Sequence, residues 1–210
     1  MIDEGYTKFI VDWTDRTPLR SPEVDELERW RRPLHETGLI GHYAELGIGY
    51  GNISLRTGNG RQFVISGTQT GHLPRTGPAH YALVTDYDIE GNSVSCRGAV
   101  QASSETLTHA AIYELDESIY AVVHVHDRQL WERLKDREPT TRADVAYGTP
   151  EMAREFRRLF RDSDFRERRL AAMAGHDAGV VCIGRTLREA ATRVIEAHDE
   201  NSQRQQEEQR

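Results

Sequence analysis

Apolar and polar positions in this chain follow two periods, and the change from one to the other marks strands and helices. Residues 121–126 read Ala-Val-Val-His-Val-His, a short apolar run that closes on two histidines. Such a run fits a strand covered on both faces. Residues 61–66 and 180–184 predict further strands, and 170–174 a shorter one. Residues 81–87 and 93–97 predict a hairpin around Glu90-Gly91-Asn92. Meandering strands of this kind imply antiparallel pairing. Helical spacing governs the rest. Ser21-Pro22-Glu23 opens a helix with Val24, Leu27, Trp30 and Leu34 on one face, closed near Gly38. A second is expected from Ala102, a third from Asp127, and a fourth from Thr149-Pro150 with Met152, Phe156 and Phe160 inward. Thr186-x-x-Glu189 is a capping box for the last. Residues 1–20 show no clear period, and 136–146 read as a polar, exposed loop.

Composition narrows the class. A chain of 210 residues predicts one domain, over 1–199, followed by a polar tail at 200–210 that contains no apolar residue. The tail is either a helix extension or disordered. Cys96 and Cys182 stand far apart in strand-like surroundings, which suits reduced thiols in a cytoplasmic protein. A net charge of -7 argues against general nucleic-acid binding. No apolar run approaches the ~20 residues needed to span a bilayer. The acidic start Met1-Ile2-Asp3-Glu4-Gly5 shows no secretory signal.

The chemistry concentrates in a few stretches. On a strand, His124 and His126 share a face, and two neutral imidazoles make half a metal site. The same pair also reads as core histidines satisfied by hydrogen bonds. His176 lies in a glycine turn between two apolar strands, a natural place for a third ligand. Gly47-Ile48-Gly49-Tyr50-Gly51 and Gly67-Thr68-Gln69-Thr70-Gly71 are small-residue loops that either turn the chain or expose N–H groups to an anion. Ser103 and Ser104, at an expected helix start, either cap it or bind phosphate. Glu105 follows in the expected first turn, where a carboxylate also suits the helix dipole.

Five of these stretches fall in the order of one family. Gly51-Asn52-Ile53-Ser54-Leu55-Arg56, Thr68-Gln69-Thr70-Gly71, Ser103-Ser104-Glu105, His124-Val125-His126 and His176 ahead of Gly179-Val180-Val181 together resemble the class II aldolase/adducin family, across about residues 25–197. The resemblance implies an α/β fold: a three-layer α/β/α sandwich with a mostly antiparallel central sheet. It implies Zn2+ or another divalent metal on His124, His126 and His176, and Glu105 as catalytic acid/base. It also implies that Asn52, Thr70, Gly71, Ser103 and Ser104 bind a substrate phosphate, and that the protein is a homo-oligomer, in the family commonly a tetramer. The chemistry is coherent: retro-aldol cleavage develops an enediolate that a Lewis acid stabilises, with a nearby carboxylate to move the proton. The expected function is thus a zinc-dependent lyase acting on a small hydroxylated, phosphorylated carbonyl compound. Epimerisation, decarboxylation or dehydration on the same scaffold stays open, as does a non-catalytic assembly role. Three departures bear on the substrate. Gln69 replaces the aldolases' proline, Asp177-Ala178 is inserted after His176, and Asp144 aligns with a tyrosine the aldolases use.

Overall fold

The computed structural model describes residues 6–58, 60–135 and 137–208; the acidic first five residues and the end of the tail lie outside the described residues. In chain order the elements are β1 (Ile10–Trp13), α1 (Pro22–Glu36), β2 (Gly41–Tyr43), β3 (Ile48–Tyr50), β4 (Asn52–Arg56), β5 (Phe63–Ser66), β6 (Tyr81–Asp88), β7 (Ser93–Arg97), α2 (Thr106–Tyr113), β8 (Ala121–His126), α3 (Arg128–Leu134), α4 (Pro150–Asp162), α5 (Phe165–Arg168), β9 (Leu170–Ala172), β10 (Gly179–Gly184) and α6 (Leu187–Glu208). Eight strands form one sheet in the order β1-β7-β6-β5-β4-β8-β10-β9, and β2 with β3 forms a separate hairpin. Every pair in the large sheet is antiparallel except β1 with β7.

Strand periodicity sorts the side chains into two cores. Val122 of β8, Phe63 and Ile65 of β5 and Val181 of β10 pack on one face with Leu107, Ala110 and Ala111 of α2 and Met152 and Phe156 of α4. Ala121, Val123 and Val125, with Val64, Val180 and Cys182, pack on the other with Val24, Leu27 and Leu34 of α1, Leu130 of α3 and Ala190 and Val194 of α6. Helices therefore cover both faces, which gives the three layers expected. Each fully buried Val or Leu of β8 and its neighbours contributes about 1.5–3 kcal/mol. The pattern has a consequence for the site: His124 and His126 share the Val122 face, towards α2.

Some expectations fail, each for a local reason. Residues 1–20 do contain a strand, β1, missed because it is a four-residue edge strand with only partial burial. The glycine-rich stretch before Asn52 contributes the β2–β3 hairpin as well as a turn. Helix α2 starts at Thr106, not at Ala102, so Glu105 occupies the N-cap position instead of the first turn. The loop at 136–146 is polar but not wholly exposed. Thr141 and Val145 are buried, and the Thr141 N–H donates to Ala172 while its hydroxyl accepts from the Ala174 N–H. In the tail, α6 continues to Glu208, and Asn201 is buried. Cys96 and Cys182 are buried free thiols on opposite faces of the sheet. Among the described residues no helix is long and apolar enough to cross a membrane.

Candidate active site

His124 and His126 stand two apart on β8, and His176 reaches them from the turn between β9 and β10. All three are buried. One ring nitrogen from each lies within 4.8 Å of the others. Burial, and then the neighbouring imidazoles, hold His124 and His126 well below the ordinary histidine range. They are therefore neutral, as a metal ligand must be.

The surrounding side chains set which nitrogen His124 and His126 offer. Asn52 is the cross-strand partner of His124, and its amide nitrogen lies 3.2 Å from His124 Nδ1. Asn52 Oδ1 is buried without a hydrogen bond, as is His124 Nε2. Amide oxygen and nitrogen are interchangeable by a flip. Turned over, Oδ1 accepts from Nδ1–H and the Nε2 lone pair is presented to the cluster, the usual arrangement behind a ligating histidine. His126 Nδ1 lies 3.1 Å from the Tyr43 hydroxyl, and its ring stacks on Tyr50 at 5.2 Å. Both tyrosines come from the β2–β3 hairpin. The donor set is three buried imidazoles, with His124 and His126 held neutral and His124 Nε2 without a hydrogen bond, and it fits a divalent cation.

The two residues inserted after His176 form the turn that delivers it. Ala178 takes a left-handed conformation (φ 62) and its carbonyl accepts from the Asp127 N–H. Asp177 pairs with Arg128 on the surface. Gly179 then passes so close that a Cβ there would sit 3.3 Å from His124 Nε2 and 3.2 Å from the His176 ring. Tyr147 stacks on His176 at 4.4 Å. Asp144, aligned with the aldolases' tyrosine, is on the surface beside Arg142.

Glu105 is the group nearest to acid/base chemistry. Its carboxylate makes no cap hydrogen bond to α2, and Oε1 lies 3.6 Å from His176 Nδ1. A buried network behind it seats the helix. Ser54 Oγ lies 2.7 Å from both His109 Nδ1 and the Tyr113 hydroxyl, which ties α2 to β4. Burial pushes His109 down to about 3, so it stays neutral there.

Asn52, Thr70, Gly71, Ser103, Ser104, Glu105 and His124 line one narrow pocket. The Thr70 hydroxyl donates to the Gly67 carbonyl, and Ser103 Oγ accepts from the Glu105 N–H. Gly71 is required by packing, since a Cβ would meet the Gly41 carbonyl at 2.2 Å. Arg31, buried on α1, donates to the carbonyls of Thr70, Gly71 and Leu73 and so holds the loop from behind. Gln69 has φ 56. A proline ring is confined near φ −65° and cannot take that shape, so the loop has a different backbone from one built around proline. Introducing a proline with Gln69→Pro is expected to cost more than about 1 kcal/mol. Gln69→Gly should match or exceed the parent. Denaturant unfolding of the three proteins checks this, and an equally stable proline variant would refute it.

Residues 39–131 match the family model described as Class II Aldolase and Adducin N-terminal domain. No curated protein matches the chain. Among solved structures, an l-fuculose-1-phosphate aldolase from Thermus thermophilus is 20% identical, with a TM-score of 0.62 over 87% of this chain and 92% of that one. A sugar-phosphate aldolase from Thermotoga maritima is 17% identical, with a TM-score of 0.65 over 86% and 92%. The N-terminal Class II Aldolase domain of a conserved protein from Thermoplasma acidophilum is 15% identical, with a TM-score of 0.58 over 90% and 96%. At such identities these structures establish the shared fold. Residues 39–131 thus resemble the class II aldolase/adducin N-terminal domain, and the chain shares the fold of these aldolases over most of its length.

Proposed function

We propose that this chain is a zinc-dependent, aldolase-type lyase acting on a small hydroxylated, phosphorylated carbonyl compound. One observation carries the reading: a buried carboxylate, Glu105, lies 3.6 Å from an imidazole of a three-histidine cluster without capping its own helix. His124, His126 and His176 would hold the cation. A bound zinc would supply Lewis-acid stabilisation of the charge that develops on the substrate oxygens. Glu105 moves the proton, taking it from the hydroxyl of the bond to be cleaved and returning it to the carbon left behind. Asn52 and Tyr43 keep two imidazoles in the orientation their task needs. The loop at 67–71 and the two serines orient the anionic end of the substrate. The same reading carries the homo-oligomer that the resemblance implies.

A second reading, with an unphosphorylated substrate, is favoured by the anion pocket itself. The space between its loops is about 20 Å³, room for one water-sized group. The hydrogen of the Thr70 hydroxyl is already given to Gly67. A phosphate therefore requires the loops to part. The test is a retro-aldol screen of the zinc-loaded protein on sugar phosphates and on the same sugars without phosphate. Cleavage of the phosphates alone supports the first reading and cleavage of the free sugars alone the second. Cleavage of neither, with zinc bound, overturns the lyase assignment.

A further inference from the structure

A second, differently built cavity lies at the other end of the central strands. In the β8–β10 ladder Gly179 pairs with His126 at the metal end and Gly184 with Ala121 at the far end, so the two ends are about 17 Å apart. At the far end, Asp116, Ser118, Ile119, Phe160, Arg166, Arg169, Ile183, Gly184 and Arg185 enclose a cavity of about 170 Å³. Its floor is apolar, with Ile119 and Ile183 buried. Its rim is cationic.

The three arginines are unequally satisfied. Arg166 lies 3.4 Å from Asp116 and 4.7 Å from the centroid of the Phe160 ring. Arg169 pairs with Glu189. Arg185 makes no ion pair of its own among the described residues, although its charge acts on Asp116. Three cations against two carboxylates leave one positive charge over an apolar floor. The backbone adds a second sign. Arg169 takes a left-handed conformation (φ 58). A long side chain is unfavourable there, and glycine or asparagine would serve the turn better. Turn geometry alone therefore gives no reason for an arginine; its guanidinium pairs with Glu189 and also lines the rim of the cavity. Fork-shaped donors pair in bidentate fashion with carboxylates.

We infer that this cavity is a second ligand site, for a small organic monocarboxylate whose acid group meets the Arg169 and Arg185 rim while its apolar body lies on Ile119, Ile183 and Phe160. A single net charge matches a monoanion, and the apolar floor gives inorganic anions little to bind. This site is independent of the reaction proposed above.

Isothermal titration of the zinc-loaded protein with benzoate, benzamide and inorganic phosphate tests it. Benzoate should bind a single saturable site with a Kd of about 1–10 mM, the range for a fragment of its size. Arg169→Gly and Arg185→Ala should each weaken it at least ~10-fold without changing zinc content. The first places glycine in a conformation it adopts readily, so the fold is kept. Benzamide, the same shape without the charge, should not saturate. Absent benzoate binding, or binding unchanged in both variants, overturns the site. Benzamide binding as tightly as benzoate, or phosphate binding more tightly, overturns the carboxylate assignment.

Discussion

Replacing His124, His126 or His176 with alanine is expected to yield a folded protein that loses most of its metal. Zinc sites in zinc-finger peptides are worth about 10–16 kcal/mol over four ligands, so each contributes roughly 2.5–4 kcal/mol. Removing one of three protein ligands should therefore weaken zinc binding by about 10²–10³-fold or more. Among the described residues these three histidines form the metal-ligand grouping, and Glu105, 3.6 Å from His176, is the neighbouring carboxylate. A graded comparator comes from the hairpin. Tyr43 touches His126 Nδ1 without belonging to the donor set. Tyr43→Phe should leave zinc bound but weaken it by about 10–100-fold, the usual scale for losing a partner behind a ligand. Competition with a chelating dye at fixed pH orders the four variants. Full zinc retention in any histidine variant would remove that residue from the set. An unchanged affinity in Tyr43→Phe would make the tyrosine a packing residue only.

The parts of this site that could be read from the chain are those with short-range patterns. His124-Val125-His126 announces itself because strand geometry puts alternate residues on one face. His176 is visible because a histidine between glycines in a turn is a rare surface feature. The two-faced cores follow from the same periodicity, whereas the three layers were expected from the family resemblance. What escaped depends on pairing between distant segments. Tyr43 and Tyr50 reach His126 only because β2 and β3 fold as a hairpin, and a three-residue strand leaves almost no periodic trace. Arg31 reads as one more charge on a helix; its burial against the Thr70–Leu73 carbonyls is set by how α1 packs. Ser54 and His109 did leave a signal. Ser54 is two residues beyond Asn52 on the same strand face, and His109 is one helical turn beyond Glu105. Applying the two periods together would have placed them in contact. Gln69 shows the opposite case. The substitution was visible in the sequence, but its meaning was not, because only the backbone angle shows that proline is excluded there.

Glu105→Gln should separate chemistry from architecture at the candidate site. Glutamine keeps the shape and the hydrogen-bonding length of glutamate and removes the group that can carry a proton. A carboxylate retained merely to cap α2 would reach back to the helix N–H groups, and its loss would cost at most ~1–2 kcal/mol of stability with turnover intact. The geometry does not match that role. The cap position is filled by the Glu105 backbone, the nearby N–H groups are served by Ser103, and the carboxylate lies beside His176. The Ser54–His109–Tyr113 network seats α2 from behind and does not involve the Glu105 side chain. The variant should therefore keep its zinc and its unfolding midpoint. Its turnover in whichever retro-aldol reaction the screen identifies should fall by ~10²–10⁴-fold, the contribution typical of a positioned acid/base. Zinc content, unfolding and turnover must be measured on one preparation, because a fall in all three would report damage to the fold and not lost proton transfer. A stable, zinc-loaded Glu105→Gln protein with near-normal turnover would return the glutamate to its helix and leave the proton to another group.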